Sequence, residues 1–375
     1  MYSISKPISD KFKFWSFISM VLLVFVHGYN MEIRYLQPWT LPRETLTLTG
    51  FTEYFLANGI FRFRIPMLFI ISGYLFALHD NKPYRQRVGK RFRTLFLPYL
   101  IWSAIGLAFT YGLEMTAAGR NLVADSHIVE IDDTRLLLHD YRWYEMIGRW
   151  LLIPVPYQLW FIRVLFIYNL AYPAIRWCVT QKTARYIFFA FAFLIWLNTT
   201  NLLLIEGEGL LFFSLGIWMQ KTSFAIELPP GWLRPLWWGI LFVFLASTKT
   251  LLAFKGEAII GNAVYPVITI MHKVVVLSGL IACWYGFDPL IRWCMSKSWF
   301  VWLSAFAFMI YAMHTPLIAY LINPVLGMVQ PFLLSRAIIY VLLPCTILAL
   351  CIGSGAILRW LVPRVYGLLT GGRGF

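Results

Sequence analysis

The chain has 375 residues, of which 60% are hydrophobic, 18% aromatic and 13% charged, and its formal net charge is +15. Soluble domains carry about 25% charged residues, so this composition excludes an ordinary soluble protein and points to the membrane. The basic residues lie mostly in short connections between apolar runs, where they orient helices in a bilayer, so the charge is not a nucleic-acid footprint.

Apolar runs of about 20 residues cross the hydrocarbon core as helices, and no strand-like alternation offers the barrel alternative. The pattern predicts an all-α, polytopic membrane protein of about ten transmembrane helices. In chain order they fall at 12–29, 57–78, 93–114, 157–176, 185–200, 206–220, 232–250, 262–285, 298–322 and 334–361. The sixth is interrupted by Gly207, Gly209 and Gly216, and the seventh carries Lys249 at its outer end. No small-residue cleavage site follows the first run, which is expected to remain as an uncleaved helix. Cys178, Cys283, Cys294, Cys345 and Cys351 lie in or beside apolar segments without metal-ligand spacing, and read as small hydrophobes.

Lys and Arg concentrate in the segments on the side of the N-terminus, which selects an N-in, C-in topology. The long connection 115–156, with Asp125, His127, Glu130, Asp132, Asp133, His139, Asp140 and Glu145, then lies outside. Its second half, TRLLLHDYRWYEMIGRWLLIP, suits a helix lying in the interface over a cavity mouth. The chain reads as one domain, and its oligomeric state is left open.

Four features carry ionisable groups inside spans: His27 near the end of the first; Arg62 and Arg64 in FRFRIPMLFIISGYLF; Arg163 in QLWFIRVLFIY; and His314 in FMIYAMHTPLI. Counting along the expected helices puts Arg64 roughly 10 Å below the outer face and His314 roughly 24 Å up a ~30 Å core. All four helices thus bring charge or imidazole to one outer stratum. Singly, each histidine suits a core residue bonded to a carbonyl, and Arg62 suits snorkelling to the headgroups. Together they do not: a guanidinium in hydrocarbon costs at least ~2.5 kcal/mol and should face a polar cavity or a partner. Lys273, beside His272, is a cavity-lining candidate, and Ser72-Gly73 reads as close helix packing rather than a nucleophile. The inner run HDNKPYRQRVGKRFR holds Arg85, Arg87, Lys90, Arg91 and Arg93, more charge than orientation requires, and suits a polyanionic ligand held through its phosphates.

At these residues the chain resembles the acyltransferase-3 family of bacterial integral-membrane acyltransferases. The resemblance rests on VFVHGY, RIPMLFIISGY, the basic run into RTLFLPYLIW, QLWFIRVLF and IYAMHTPLI, in this order. One departure stands out: many members carry an arginine eleven residues before the first-helix histidine, where this chain has Ser16, with Lys11 and Lys13 the nearest basic residues. The resemblance implies transfer of an acyl group, acetyl or succinyl, from cytosolic acyl-CoA as co-substrate to a hydroxyl of a cell-envelope glycan in the bacterial inner membrane, with no tightly bound cofactor. His27 would be the general base or a transient acyl carrier, Arg64 and Arg163 would orient substrate and stabilise charge, and His314 would handle protons or position them. The rival readings are a transporter or flippase for an anionic or glycosylated substrate, and a sensor whose buried charges are structural.

Overall fold

The computed structural model describes residues 4–29, 36–131, 135–201, 204–328 and 335–374. Asp132, Asp133 and the first residue of the last expected span lie outside them. Among the described residues regular structure is helical, with one isolated β-bridge between Asn201 and Glu206. In chain order the helices are α1 (Lys6–His27), α2 (Leu48–Asn58), α3 (Arg64–Leu78), α4 (Tyr84–Arg91), α5 (Leu97–Leu113), α6 (Ala117–Ser126), α7 (Trp143–Leu151), α8 (Trp160–Leu170) and α9 (Tyr172–Thr180). There follow α10 (Lys182–Leu197), α11 (Gly207–Lys221), α12 (Pro235–Ile260), α13 (Val264–Gly286), α14 (Asp288–Met295), α15 (Ser298–Ser304), α16 (Ala307–Met328), α17 (Ser335–Leu361) and α18 (Pro363–Thr370). Pro98, Pro173, Pro235, Pro289 and Pro363 stand in the first turns of α5, α9, α12, α14 and α18, where a missing N–H costs nothing.

Five helical stretches among the described residues are long and apolar enough to cross a membrane, and a sixth results if the pair Tyr157–Leu170 and Tyr172–Thr180, bent by 66°, is one span. The protein is a helical membrane protein. Each expected span contains helix, but several differ from an unbroken crossing. The second is broken after Asn58 by Gly59 and a 3-10 turn (Ile60–Phe63), and the ninth divides into α15 and α16. α10 and α11, at 16 and 15 residues, are shorter than the ~20 that a perpendicular crossing takes. Lys249 lies in the interior of α12 and is fully buried, not at an outer end.

The chain divides into two compact units, one made of residues 1–22, 36–88 and 167–304, the other of residues 23–35, 89–166 and 305–375. In the first, α11 is unbroken, and its glycines serve packing rather than interruption. A Cβ on Gly216 would stand 2.2 Å from the Ile70 carbonyl oxygen, and one on Gly73 would stand 2.0 Å from that of Phe213. α3 and α11 therefore touch backbone to backbone, as the small-residue reading of Ser72-Gly73 expects. One rim of this unit is tied by Asp80, which pairs with Arg87 (2.9 Å), Arg176 (2.7 Å) and Lys221 (2.7 Å). Burial alone would raise the Asp80 pKa; the Lys221 hydrogen bond and the charges of Lys221 and Arg176 outweigh it and hold the carboxyl below its ordinary value.

In the second unit the long connection is folded, with its own core. Val123, Ile128, Val129, Leu138 and Val155 pack with Ala319 and Tyr320 of α16. The buried Glu114 carboxylate accepts from the Leu138 and His139 backbone N–H groups (2.8 and 3.1 Å) and pairs with His139 Nδ1 at 2.6 Å, so its charge is compensated where it lies. α7 turns Arg149 inward and leaves Trp143, Ile147, Trp150 and Leu151 exposed along one helical face. The stretch read as interfacial thus forms an amphipathic helix with an exposed apolar face. The C-terminal segment docks on α5: Trp102 Nε1 donates to the Leu369 carbonyl (3.0 Å), and Gly371, at φ +62°, lies where a Cβ would stand 2.4 Å from the Thr94 carbonyl oxygen.

Candidate active site

α1 runs to His27 and stops at Gly28, which packs so closely on Pro344 of α17 that a Cβ would meet its Cγ at 2.8 Å. The His27 ring then lies between two neighbours. His27 Nδ1 and the Tyr157 hydroxyl are hydrogen-bonded at 2.9 Å, and the His314 ring centroid is 5.4 Å away.

Proline chemistry explains how Tyr157 and His314 are brought to the same place. Pro316 has no N–H, so in α16 the Ala312 carbonyl loses its helical donor. Gln158 supplies the replacement: its Nε2 donates to the Ala312 oxygen at 2.9 Å and to the Tyr311 oxygen at 3.3 Å, and the Tyr311 hydroxyl donates back to the Gln158 carbonyl at 2.6 Å. This reciprocal clamp joins the 3-10 turn Tyr157–Leu159 to the turn of α16 that carries His314. Pro156, just before Tyr157, presses on α5 at Gly106, where a Cβ would stand 2.2 Å from the proline Cγ.

The two histidines are held differently. His314 is fully buried; its Nδ1 donates to the Ile310 carbonyl (2.8 Å), which leaves Nε2 to accept from the Thr315 hydroxyl (3.0 Å). Both its nitrogens are engaged in one tautomer. His27 is half-buried and shares its Nδ1 with a phenol.

Arg163 follows on α8, half-buried and within electrostatic range of Tyr99 and Tyr311; its buried Nε has no hydrogen-bond partner among the described residues. Arg373 joins the same neighbourhood from the C-terminal segment. It donates to the Thr94 carbonyl at 2.7 Å and lies 5.0 Å from the Phe308 ring centroid. That carbonyl is open for the same reason as that of Ala312, since Pro98 lacks the N–H that a helix would offer it. Burial, with Arg91 nearby, pushes the Arg373 guanidinium down to about 10.

The basic run forms α4 and the π-turn Phe92–Phe96. Arg85, Lys90 and Arg93 are exposed and Arg91 is half-buried. Arg87 departs from the expected set: it is buried between the Phe76 and Tyr172 rings (4.2 and 4.4 Å), and it donates to Asp80 and to the Phe76 carbonyl. Its charge is spent within the protein.

Arg64 belongs to the first unit. It opens α3 rather than standing seven residues inside a helix, is buried, and donates to the Phe61 carbonyl at 2.7 Å. Arg62 donates to the Leu36 carbonyl. Glu208, at the start of α11, is within electrostatic range of Lys273, Arg62 and Arg64, and Glu206 caps that helix through the Glu208 and Gly209 N–H groups. Glu208 thus supplies the nearby negative charge that the buried Arg62 and Arg64 require, and Glu206 adds its own toward Lys273. Lys273 lies 5.0 Å from the Trp196 ring centroid, while Lys249 donates to the Asn58 carbonyl (2.6 Å) and approaches His272 Nδ1 (3.1 Å). Ser16 is half-buried; Lys11 is engaged with Asp288 at 2.7 Å, and Lys13 is exposed, so the place of the missing arginine is not taken by either.

Tyr157, Gln158, Arg373, Glu206 and Glu208 escape sequence reading. A usable signal existed for two of them, Glu206 and Glu208: carboxylates flanked by glycine at a span's start announce buried cations.

A family model described as an acyltransferase domain matches residues 13–357. The chain is also 23% identical over 357 residues, 94% of its own length and 89% of the relative's, to the succinoglycan biosynthesis protein ExoH of Rhizobium meliloti (strain 1021). No solved structure matches. With a family model that runs from the first helix into the last long one, through His27, Arg64, Arg163 and His314 alike, the chain belongs to the acyltransferase-3 family and is a membrane enzyme that transfers acyl groups.

Proposed function

We propose that the protein resides in the bacterial cytoplasmic membrane and moves an acyl group, acetyl or succinyl, from cytosolic acyl-CoA to a hydroxyl of an extracytoplasmic glycan. It acts as one catalytic domain of about ten spans, N-in and C-in, without a tightly bound cofactor. The observation that carries this reading is the His27–Tyr157 hydrogen bond beside His314, in a chain of an acyltransferase family. The relative's name refers to succinoglycan, which supports a polysaccharide acceptor.

Acyl transfer to a hydroxyl needs a base, stabilisation of the oxyanion, and orientation. In this reading His27 Nδ1–H donates to the Tyr157 oxygen and Nε2 takes the acceptor's proton. The acceptor oxygen bonds to the thioester carbonyl carbon, the tetrahedral oxyanion collapses, the C–S bond breaks, and the imidazolium returns its proton to the departing CoA thiolate. Arg163 and Arg64 orient substrate and stabilise charge. His314, with both nitrogens occupied, fixes the position of its neighbours instead of exchanging protons. The exposed Arg85, Lys90 and Arg93, with Arg91, bind CoA phosphates, while Arg87 braces the same helix from within.

The test is incubation of purified protein with radiolabelled acetyl-CoA or succinyl-CoA and candidate glycans. Label is expected in the glycan, and His27→Ala is expected to reduce its rate by about 10²–10⁴. Undiminished transfer by His27→Ala overturns the base assignment, and thioester-independent movement of glycan across vesicles favours the transporter.

A further inference from the structure

Beyond the His27 neighbourhood, the second unit holds a cavity of about 190 Å³ and mixed lining at the seam of α6 and α16, with Asp125, Ser126, Tyr320, Asn323 and Pro324 among its walls. At ~30 Å³ per water that is room for about six waters, well below the ~300 Å³ of a drug-sized site, and it suits one small ring. Its chemistry is mainly that of acceptors. Asp125 has no ion-pair partner among the described residues, and Asn323 uses one N–H of Nδ2 on the Asp125 backbone carbonyl at 2.9 Å, which leaves its Oδ1 and one N–H. Pro324 withholds the N–H that the Tyr320 carbonyl takes in a regular helix. The Ser126 hydroxyl donates to the Val123 carbonyl at 2.7 Å and accepts from the Ile128 N–H at 3.4 Å, so it has no hydrogen left to donate to a ligand. Leu122 and Ala319 supply an apolar wall.

A lining of acceptors with a single carboxylate calls for a ligand rich in donors. A metal ion is poorly matched, because no group of three or more His, Cys, Asp or Glu among the described residues could hold one. A neutral polyhydroxyl matches: hydroxyls donate to the carboxylate, the amide oxygen and the carbonyl, and C–H faces meet the apolar wall. The cavity also lies in register with the candidate active site. Ala319 to Pro324 follow His314 by five to ten residues on the same helix, or about 8–15 Å of rise. The core in which Val123 of α6 packs with Ala319 and Tyr320 fixes α6 to that helix independently of the Asn323–Asp125 bond.

We propose that this cavity is a glycan subsite that grips a sugar unit removed along the acceptor chain from the hydroxyl that receives the acyl group. The proposal rests on the acyl-transfer reading above. Asp125 and Asn323 are exposed, and substitution at either leaves the core intact.

Transfer to β-gluco-oligosaccharides of one to six units is measured for the parent, Asp125→Ala and Asn323→Leu, alongside acceptor-free hydrolysis of the thioester. Both variants are expected to raise KM for the longer acceptors by at least about tenfold, with kcat and thioester hydrolysis unchanged and monosaccharide transfer unaffected. Equal loss on monosaccharide and oligosaccharide, or no rise in KM, overturns the subsite. Binding of the tetrasaccharide to the His27→Ala variant, read by saturation-transfer NMR, separates the two claims. If the parent transfers no label but His27→Ala binds the tetrasaccharide and the double variant His27→Ala/Asp125→Ala does not, acyl transfer falls and the subsite stands. If His27→Ala does not bind the tetrasaccharide, or the double variant binds it equally, the subsite falls whatever the activity.

Discussion

An imidazole that takes a proton needs one nitrogen held in a fixed tautomer, and His27 and His314 differ in what holds each. The phenol of Tyr157 is the group that can hold His27 Nδ1, at 2.9 Å. Tyr157→Phe removes the bond while keeping the ring that packs edge-on against His27, so the expected result is a fall in kcat of about tenfold, near the 1.4 kcal/mol of a good hydrogen bond, with little change in KM. Steady-state kinetics on the purified variant checks it; an unchanged kcat means that Tyr157 only packs. At this scale the sequence was readable where a residue violates its surroundings. His27, Arg163 and His314 are ionisable groups in apolar runs, and the cost of burying them draws the eye. Tyr157 and Gln158 were not readable, because a tyrosine and a glutamine at the end of a span are ordinary interfacial residues. Only the fold reveals that Gln158 replaces the donor lost at Pro316.

Helix periodicity decides which charges on α4 face outward, and a count of basic residues cannot. Arg87 is turned inward, between two rings and against Asp80, while Arg85, two residues before it, and Arg93, in the following turn, are exposed. Two kinds of arginine therefore stand within one turn or two. Arg85→Ala and Arg93→Ala are expected to leave the melting temperature unchanged and raise KM for acyl-CoA, whereas Asp80→Asn is expected to destabilise by about 1.5–3 kcal/mol per charged hydrogen bond lost. The pH dependence follows from the direction of the Asp80 shift. A carboxyl whose folded pKa lies below its unfolded value, ordinarily ~3.9, binds fewer protons when folded, so its stabilisation is complete above that value and is lost as pH falls through the folded pKa. Thermal melts of parent and Asp80→Asn should thus differ at pH 7 and converge below the ordinary carboxylate range. A gap that persists in acid means that the loss is one of packing. The same logic of faces explains the misread glycines of α11: as letters Gly207, Gly209 and Gly216 look like interruptions, and only the approach of α3 to α11 shows that Gly216 is a contact point, as Gly73 was expected to be.

At the scale of the molecule, hydropathy reports how many apolar runs exist and charge bias reports their direction, but neither reports which runs pack together. The division into two units, with α1 supplying residues to both, has no one-dimensional signature, since each unit is assembled from three separate stretches of chain. Breaks such as the one at Gly59, and the 66° bend near Ala171, likewise depend on packing that a sliding window does not see. Orientation, by contrast, has a physical cause that acts on the sequence directly. Lys and Arg resist translocation, and they crowd the segments on the N-terminal side, α4 above all. On that orientation the folded connection, with its exposed Trp143, Ile147 and Trp150, is expected at the opposite interface, where aromatic and aliphatic side chains lie at headgroup depth. A cysteine scan tests this without reference to activity. In a background without the five native cysteines, of which Cys345 is exposed, Asp125→Cys should react with a membrane-impermeant maleimide added outside intact cells. Arg85→Cys should react only after the cells are opened. Labelling of Arg85→Cys from outside would invert the topology, put the basic face of α4 beyond reach of cytosolic acyl-CoA, and leave the cavity beside Asp125 facing the wrong compartment for an extracytoplasmic glycan.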